Sequence, residues 1–464
     1  MKSVVPTILT CLLPAASACL LEHELHPALH TQPFLLQRRQ QDPVSNLTDA
    51  NTVKIGTGDR FENGTITIRG VGGSKPANFT TFFNLDEVHS ATRSLVREFN
   101  LDYFVLPYKT YENRTLYGFK VPPLSASGKI TRRGANDSYA GAKVLFTGGI
   151  HARERGGPDY MLGFVADLLW AHREKTGLTY GGDGSRVDFT YQEVLTALST
   201  GIVVIPVQNP DGIAHDQEHW DCWRKNRNPK SAKKDDPGSV GIDLNRNFSP
   251  GWDVKKFAVP DEWFGDYSNS STDQFHGTGP LSEPEAANVD WAMGQMKDLE
   301  WHLDLHSFAG SVLYSWGHDT PQFVDPGMSL FNTSYDGKRG AVPDDKEKGW
   351  VYSEYTDEDE LDKLTVIASR TADKMSFTTG RTYVGMQSVG LYPTFGTISD
   401  HARYRSLVDP SVKPANGFTV EFGRGNSRAL CPFYPERAAH ELSRVEVAAG
   451  LMQFLLSSVR FSAK

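Results

Sequence analysis

A strand pattern, Lys143-Val-Leu-Phe-Thr-Gly-Gly-Ile150, runs straight into His151-Ala-Arg-Glu154. A His and a Glu three residues apart at the end of a buried strand can both reach one cation. Imidazole nitrogen and carboxylate oxygen are common zinc donors, and a catalytic zinc needs only three protein ligands. The same residues also suit a solvated loop in which Glu154 caps a helix, because Pro158 and an apolar helical pattern follow.

The rest of the chain supplies a sheet for that loop. Gly201-Ile-Val-Val-Ile-Pro-Val207 is continuously apolar, as in a strand covered on both faces. Strand patterns recur at 115–121, 301–306, 311–316 and 417–422. Asn84 can cap a helix, with Asp86 and Glu87 in its first turn. Leu85, Val88, Ala91, Leu95, Val96 and Phe99 mark that helix's apolar face. Further helices fit Tyr160–His172, 285–297, 359–378 and 435–457, and the acidic run Asp357 to Asp362 opens one of them. Strands alternating with helices predict an α/β fold: one domain with a mixed, largely parallel twisted sheet and helices on both faces. The 464 residues, 39% hydrophobic and 22% charged, can bury a sizeable core. The net charge of −8, with both signs interspersed, argues against nucleic acid as a partner.

The N-terminus reads as a secretory signal over residues 1–18: Lys2, an apolar run from Val4 to Ala16, and Ala16-Ser17-Ala18 as the cleavage site. That run is too short to span a bilayer, and no other segment reads as long and apolar enough. A soluble, secreted, monomeric protein is expected. Residues 19–80 are dominated by His, Gln, Pro, Asn, Gly and Thr and read as a pro-segment or loosely ordered N-terminal extension. Arg38-Arg39 is a processing site or two exposed arginines. The cysteines are Cys11, Cys19, Cys222 and Cys431. Cys11 leaves with the signal, and Cys19 matches a lipid-anchor motif poorly. Cys222 and Cys431 are expected to pair in an oxidising compartment, two buried thiols being the alternative. Glycosylation sequons start at Asn46, Asn63, Asn78, Asn113, Asn136, Asn247, Asn269 and Asn332, the one at Asn247 within a motif expected to be buried.

A third ligand must come from elsewhere. His306 ends the strand Trp301-His-Leu-Asp-Leu-His306, and sites in α/β proteins form at such strand ends. His302 lies on the same face and competes for the role. In order along the chain stand His151-Ala-Arg-Glu154, Asn209-Pro-Asp-Gly212, Trp223-Arg-Lys-Asn-Arg227, Gly241-Ile-Asp-Leu-Asn-Arg-Asn-Phe248, His306-Ser-Phe308, Tyr392-Pro-Thr-Phe-Gly396 and Phe418-Thr-Val-Glu421. Together they resemble the zinc metallocarboxypeptidases of the carboxypeptidase A type, over roughly residues 82 to 460, so that 81–464 would be the catalytic domain.

The resemblance implies one Zn²⁺ held by His151, Glu154 and His306. Glu421 would be general base and acid, and Arg224 would steady the oxyanion. Asn245, Arg246 and Tyr392 would hold the free carboxylate of a peptide or protein C-terminus, and Arg153 would line the approach of upstream residues. The chemistry suits these residue types. Zinc lowers the pKa of bound water from roughly 15.7 to about 7, a carboxylate can relay the proton, and a guanidinium fork binds a carboxylate bidentately. A carboxylate such as Glu421 in an otherwise apolar strand is costly unless paired or functional. Ser399 falls at the base of the specificity pocket, where basic-residue enzymes place Asp and apolar-residue enzymes an apolar side chain. This favours neutral or apolar C-terminal residues, with Asp400 structural. Phe308 replaces the Tyr of the well-studied digestive enzymes, and with about 60 residues ahead of the catalytic region an ordinary full-length inhibitory prodomain is not expected.

Other readings use the same residues differently. His215-Asp-Gln-Glu218-His219 fits the H-x-x-E-H pattern of another zinc peptidase fold. An amidase of the same fold acting on cell-wall peptides or acylated amino acids, or an inactive secreted binding protein, would keep the fold and change the function.

Overall fold

The computed structural model describes residues 48–73, 80–125, 128–130, 139–182, 184–258 and 266–462. The expected signal region, Cys11, Cys19, Arg38-Arg39 and the sequons at Asn46, Asn78 and Asn136 lie outside these. Along the chain come α1 (Leu85–Phe99), β1 (Asp102–Lys109), β2 (Thr115–Val121), β3 (Val144–Gly148), α2 (Gly157–Glu174), β4 (Leu178–Tyr180), β5 (Val187–Phe189), α3 (Tyr191–Leu198), β6 (Ile202–Ile205) and α4 (Pro210–His219). There follow α5 (Pro284–Gln295), β7 (Trp301–Ser307), β8 (Ser311–Tyr314), β9 (Pro321–Gln322), β10 (Glu354–Tyr355), α6 (Glu358–Thr379), β11 (Val384–Gln387), α7 (Ile398–Val408), β12 (Asn416–Phe422) and α8 (Arg437–Phe461).

Eight strands make one sheet in the order β1-β2-β6-β3-β7-β12-β8-β11. Its centre, β6-β3-β7-β12, is parallel, β8 runs antiparallel to β12, and β11 is parallel to β8. The mixed, largely parallel sheet is therefore the one the sequence predicts. The two faces carry separate apolar clusters. Val144, Phe146, Ile202, Val204, Leu303, Leu305, Phe418 and Val420 pack under α1, α2, α3, α6 and α8. Leu145, Val203 and Ile205 pack on the other face against Ala286, Val289 and Met293 of α5 and Ile398 and Ala402 of α7.

The second face turns polar towards the strand ends. In β7, Trp301, Leu303 and Leu305 face the first cluster, while His302, Asp304 and His306 alternate onto the other side, and all are buried. Parallel pairing sets Thr147 beside Asp304 and Glu421 beside His306. Register alone thus gathers the polar residues of three strands on one face.

Sequence patterning does not find β1, α3 or α7. Pro107 lies inside β1, and proline is tolerated there because β1 is an edge strand. Helix α7 has few apolar residues. Its start is set instead by Thr397, whose side chain accepts from the Asp400 N–H. Helix α1 begins as expected, with a reciprocal capping box between Asn84 and Glu87. One reading needs correction: α8 is long and apolar enough to cross a membrane by length and composition. It is a core helix, with 67% of its most apolar window buried inside the domain. Neighbours on several sides make such a helix apolar all round.

Residues 48–73, read from sequence as part of a loosely ordered extension, are built into the core. Val53, Phe61 and Ile68 are buried in the same cluster as α1 and α2. Val53 N–H donates to Pro435 O at 2.9 Å, Arg60 pairs with Glu87 at 2.5 Å, and Val71 and Gly72 N–H both donate to Asp167 Oδ2. These apolar residues stand singly, each in its own slot, so no periodicity announces them. Truncating a buried aromatic costs about 3–5 kcal/mol. Phe61→Ala is therefore expected to lower the denaturant midpoint of the whole domain; an unchanged midpoint would show that the segment is not part of the cooperative unit.

Candidate metal centre and substrate cavity

The turn between β3 and α2 carries His151 and Glu154. Its position is set by Asn209, which caps α4 by accepting from Gly212 N–H at 2.9 Å. The Asn209 amide donates to Ile150 O at 3.0 Å and to Lys225 O at 3.1 Å. One side chain therefore ties the His151 turn to the segment bearing Arg224. A Cβ on Gly212 would clash with Lys225 O, so that turn has room only for glycine. Ala152 N–H donating to Arg224 O completes the junction.

His151, Glu154 and His306 offer ligand atoms all within 4.8 Å of one another, and all three residues are buried. Nδ1 of His151 faces Glu154 Oε1 at 2.6 Å, and Nδ1 of His306 faces Glu154 Oε2 at 3.0 Å. Each ring's Nε2 meets a second carboxylate: Asp243 Oδ1 at 3.1 Å for His151 and Asp304 Oδ2 at 2.7 Å for His306. A carboxylate on the outer nitrogen is the usual support for a metal-ligating histidine, because it fixes the ring and leaves the inner lone pair free. Burial pushes Glu154 up, but His151 and His306 hold its carboxyl far below the usual range. Burial likewise opposes ionisation of Asp243, which Arg224 and His151 nevertheless hold well below its ordinary value.

The donor set fits zinc in type, number and charge. Two imidazoles and one carboxylate leave one coordination position open. Four buried carboxylates (Glu154, Asp243, Asp304 and Glu421) stand against two buried guanidiniums, Arg224 and Arg246. With neutral imidazoles, one divalent cation balances that charge.

Arg224, Asn245, Arg246, Tyr392, Ser399 and Glu421 line one cavity with His151. Arg224 grips Asp243 Oδ2 with Nε at 3.0 Å and Nη2 at 2.8 Å, which turns Nη1 towards His151 Nδ1 at 3.3 Å. Arg246 is buried; its Nη1 donates to Asn245 O at 2.8 Å, while its Nε and Nη2 have no hydrogen-bond partner. Asn245 Oδ1 accepts from Ile398 N–H at 2.9 Å, fixing the amide at the start of α7.

Two competing metal candidates sit elsewhere, and Arg153 has partners of its own. Arg153 is buried, pairs with Asp273 at 2.8 Å and stacks on Phe433 at 4.4 Å. His302 bonds Thr147 Oγ1 at 2.9 Å, and burial brings its pKa down to about 4, so it stays neutral and outside the metal group. His219 and Glu218 are exposed on α4, and His215 bonds Asp221. They supply no metal group among the described residues.

Cys222 and Cys431 are bonded. The bridge joins the segment entering Arg224 to a cluster of Phe308, Phe433, Tyr434 and Trp220. The sequon residue Asn247 is fully buried, with its Nδ2 donating to His276 O, Gly279 O and Ser282 Oγ, so it is no glycan acceptor.

Residues 106–441 match the family model described as zinc carboxypeptidase. The chain belongs to that family. Carboxypeptidase O of Homo sapiens is 26% identical over 231 residues, 48% of this chain and 51% of the relative. The inactive metallocarboxypeptidase ECM14 of Saccharomyces cerevisiae is 26% identical over 196 residues, 41% of this chain and 38% of the relative. The chain spans about half the length of the curated relatives it matches. The solved carboxypeptidase A of Helicoverpa armigera shares the fold, with a TM-score of 0.55 and 20% identity over 84% of this chain and 76% of that one.

Sequence reasoning missed Asp243 and Asp304. Both signals were present: Asp304 alternates with the two histidines of β7, and Asp243 stands two residues before Asn245. Losing such an outer carboxylate costs about 10–100-fold in metal affinity. Asp304→Asn should weaken zinc binding by that factor in a chelator competition, while His219→Ala leaves it unchanged. Metal loss confined to His219→Ala would move the centre to α4.

Proposed function

We propose that this protein is a secreted zinc carboxypeptidase that removes single neutral residues from the C-termini of peptides or proteins. The observation that carries the reading is Arg246: a buried guanidinium with two unpartnered N–H groups, in the cavity that also holds His151 and Glu421. Burying such donors is costly unless a ligand completes them, and a terminal carboxylate matches the fork bidentately.

His151, Glu154 and His306 would hold the zinc, which supplies Lewis acidity to the scissile carbonyl and to water. The carboxylate of Glu421, paired in register with His306, takes a proton from the attacking water. The water oxygen adds to the carbonyl carbon, the C–N bond breaks, and Glu421 returns the proton to the leaving amine. Arg224, held flat by Asp243, presents Nη1 where the carbonyl oxygen gains negative charge. Asn245 and Tyr392 add neutral hydrogen bonds beside Arg246. Export is supported by the N-terminal signal pattern, by the disulfide and by the sequons, of which Asn63 and Asn113 are exposed.

Removing a general base costs about 10²–10⁴-fold. Glu421→Gln should keep one zinc per chain and lose turnover by that factor; normal cleavage would sink the mechanism, and a wild-type protein that binds peptides without cleaving them would be a binding protein. Charge-assisted hydrogen bonds contribute about 1.5–3 kcal/mol each. Arg246→Ala should therefore lower kcat/KM on free C-termini by at least about tenfold. An equal loss on binding of a C-terminally amidated peptide would refute recognition of the chain end.

A further inference from the structure

Beyond the reacting end, the cavity is lined by hydroxyls: Ser388, Thr394, Thr397, Ser399 and Thr419. Strand β12 supplies a depth scale. Glu421, Thr419 and Gly417 share one face at steps of roughly 7 Å. Thr419 is paired with Leu313 of β8, so a hydroxyl and an isobutyl group stand at the same depth. One step further, Gly417 lies directly under Ser399: any Cβ there would clash with the Ser399 backbone. The bare glycine lets the first turn of α7 sit on the sheet and close the floor with Ser399.

Among the described residues that line the cavity, none brings a charge to that floor. Asp400, the next residue, directs both carboxylate oxygens to Gly317 N–H, at 3.1 and 3.0 Å. The charged residues lining the cavity, Arg224, Arg246 and Glu421, all belong to the reacting end. Ser388 Oγ is committed to Tyr314 O at 3.0 Å, and Thr397 Oγ1 accepts from Asp400 N–H at 3.3 Å. The hydroxyls of Thr394 and Thr419 have no hydrogen-bond partner among the described residues.

Building on the carboxypeptidase reading, we infer that this pocket selects C-terminal residues with short, uncharged polar side chains: Asn, Gln and Thr. Their carbons pack on Leu313, and their polar ends meet Thr394, Thr419 and Ser399. Ser399 Oγ already meets Thr397 Oγ1 at 3.4 Å, but a Leu or Phe side chain leaves the Thr394 and Thr419 hydroxyls unpaired, and sites built for hydrogen bonding reject such analogues strongly. A Lys or Glu side chain brings a charge with no counter-charge.

The test is kcat/KM of the full, zinc-loaded chain on blocked peptides identical except for a C-terminal Asn, Gln, Thr, Leu, Phe, Lys or Glu. The expected result is Asn, Gln and Thr ahead of Phe and Lys by about tenfold or more. Fastest release of Leu, Phe or a charged residue overturns the pocket assignment and leaves the carboxypeptidase reading standing. Release of no residue from any peptide removes both. In the variant combining Ser399→Ile with Thr394→Ala, the Leu-to-Asn ratio of kcat/KM should rise about tenfold or more; an unchanged ratio overturns the assignment. Thr394→Ala alone reads the same ratio should the double variant fail to fold.

Discussion

Two buried histidines, each gripped between two carboxylates, are the constraint on which the rest of the structure depends. His306 stands between Asp304 and Glu154, and His151 between Glu154 and Asp243, which is itself held by Arg224. Charges of this density survive in a protein interior only when nearly every one is paired. That requirement explains why so much surrounding sequence is polar yet buried. Asn209 joins the two loops that deliver the network. Lys225, on the same segment as Arg224, is buried with its ammonium on the carbonyls of Gly238, Ser270 and Thr272. Asn226 accepts from Ile242 N–H and donates to Glu283 and Glu285. These motif residues hold backbone in place so that the charged groups meet at the right distances.

The sheet divides the labour between its faces. One face is apolar along the central strands and carries five helices, α8 among them. The other is apolar only until the strands approach their ends, where Thr147, Asp304, His306, Thr419 and Glu421 replace aliphatic side chains. A site requiring groups fixed to a fraction of an ångström is thus mounted on paired strands rather than on free loops. The same arrangement shapes the adjoining cavity, where Gly417 leaves room for the first turn of α7.

Much of this was legible in the chain. The strand entering His151, the alternation in Trp301–His306 and the lone carboxylate of Phe418–Glu421 announced three strand ends bearing chemistry. Other features were not. Edge strand β1 is interrupted by Pro107, α7 lacks an apolar period, and Val53, Phe61 and Ile68 are buried one at a time from a segment whose composition resembles a linker. Arg153, next to Glu154 in sequence, takes Asp273 and Phe433 as partners, which no local pattern announces.

The sequence by itself determined the fold class, the candidate ligands and the residue types suited to the chemistry, because period, turn residues and donor atoms are local properties. Only the tertiary structure decided which carboxylates support the rings, that His302 stays with Thr147 outside the metal group and that Arg246 keeps two donors unpaired. Those outcomes depend on strand register and on helices packed across the sheet, which bring together residues more than a hundred positions apart and cannot be read from any one stretch of chain.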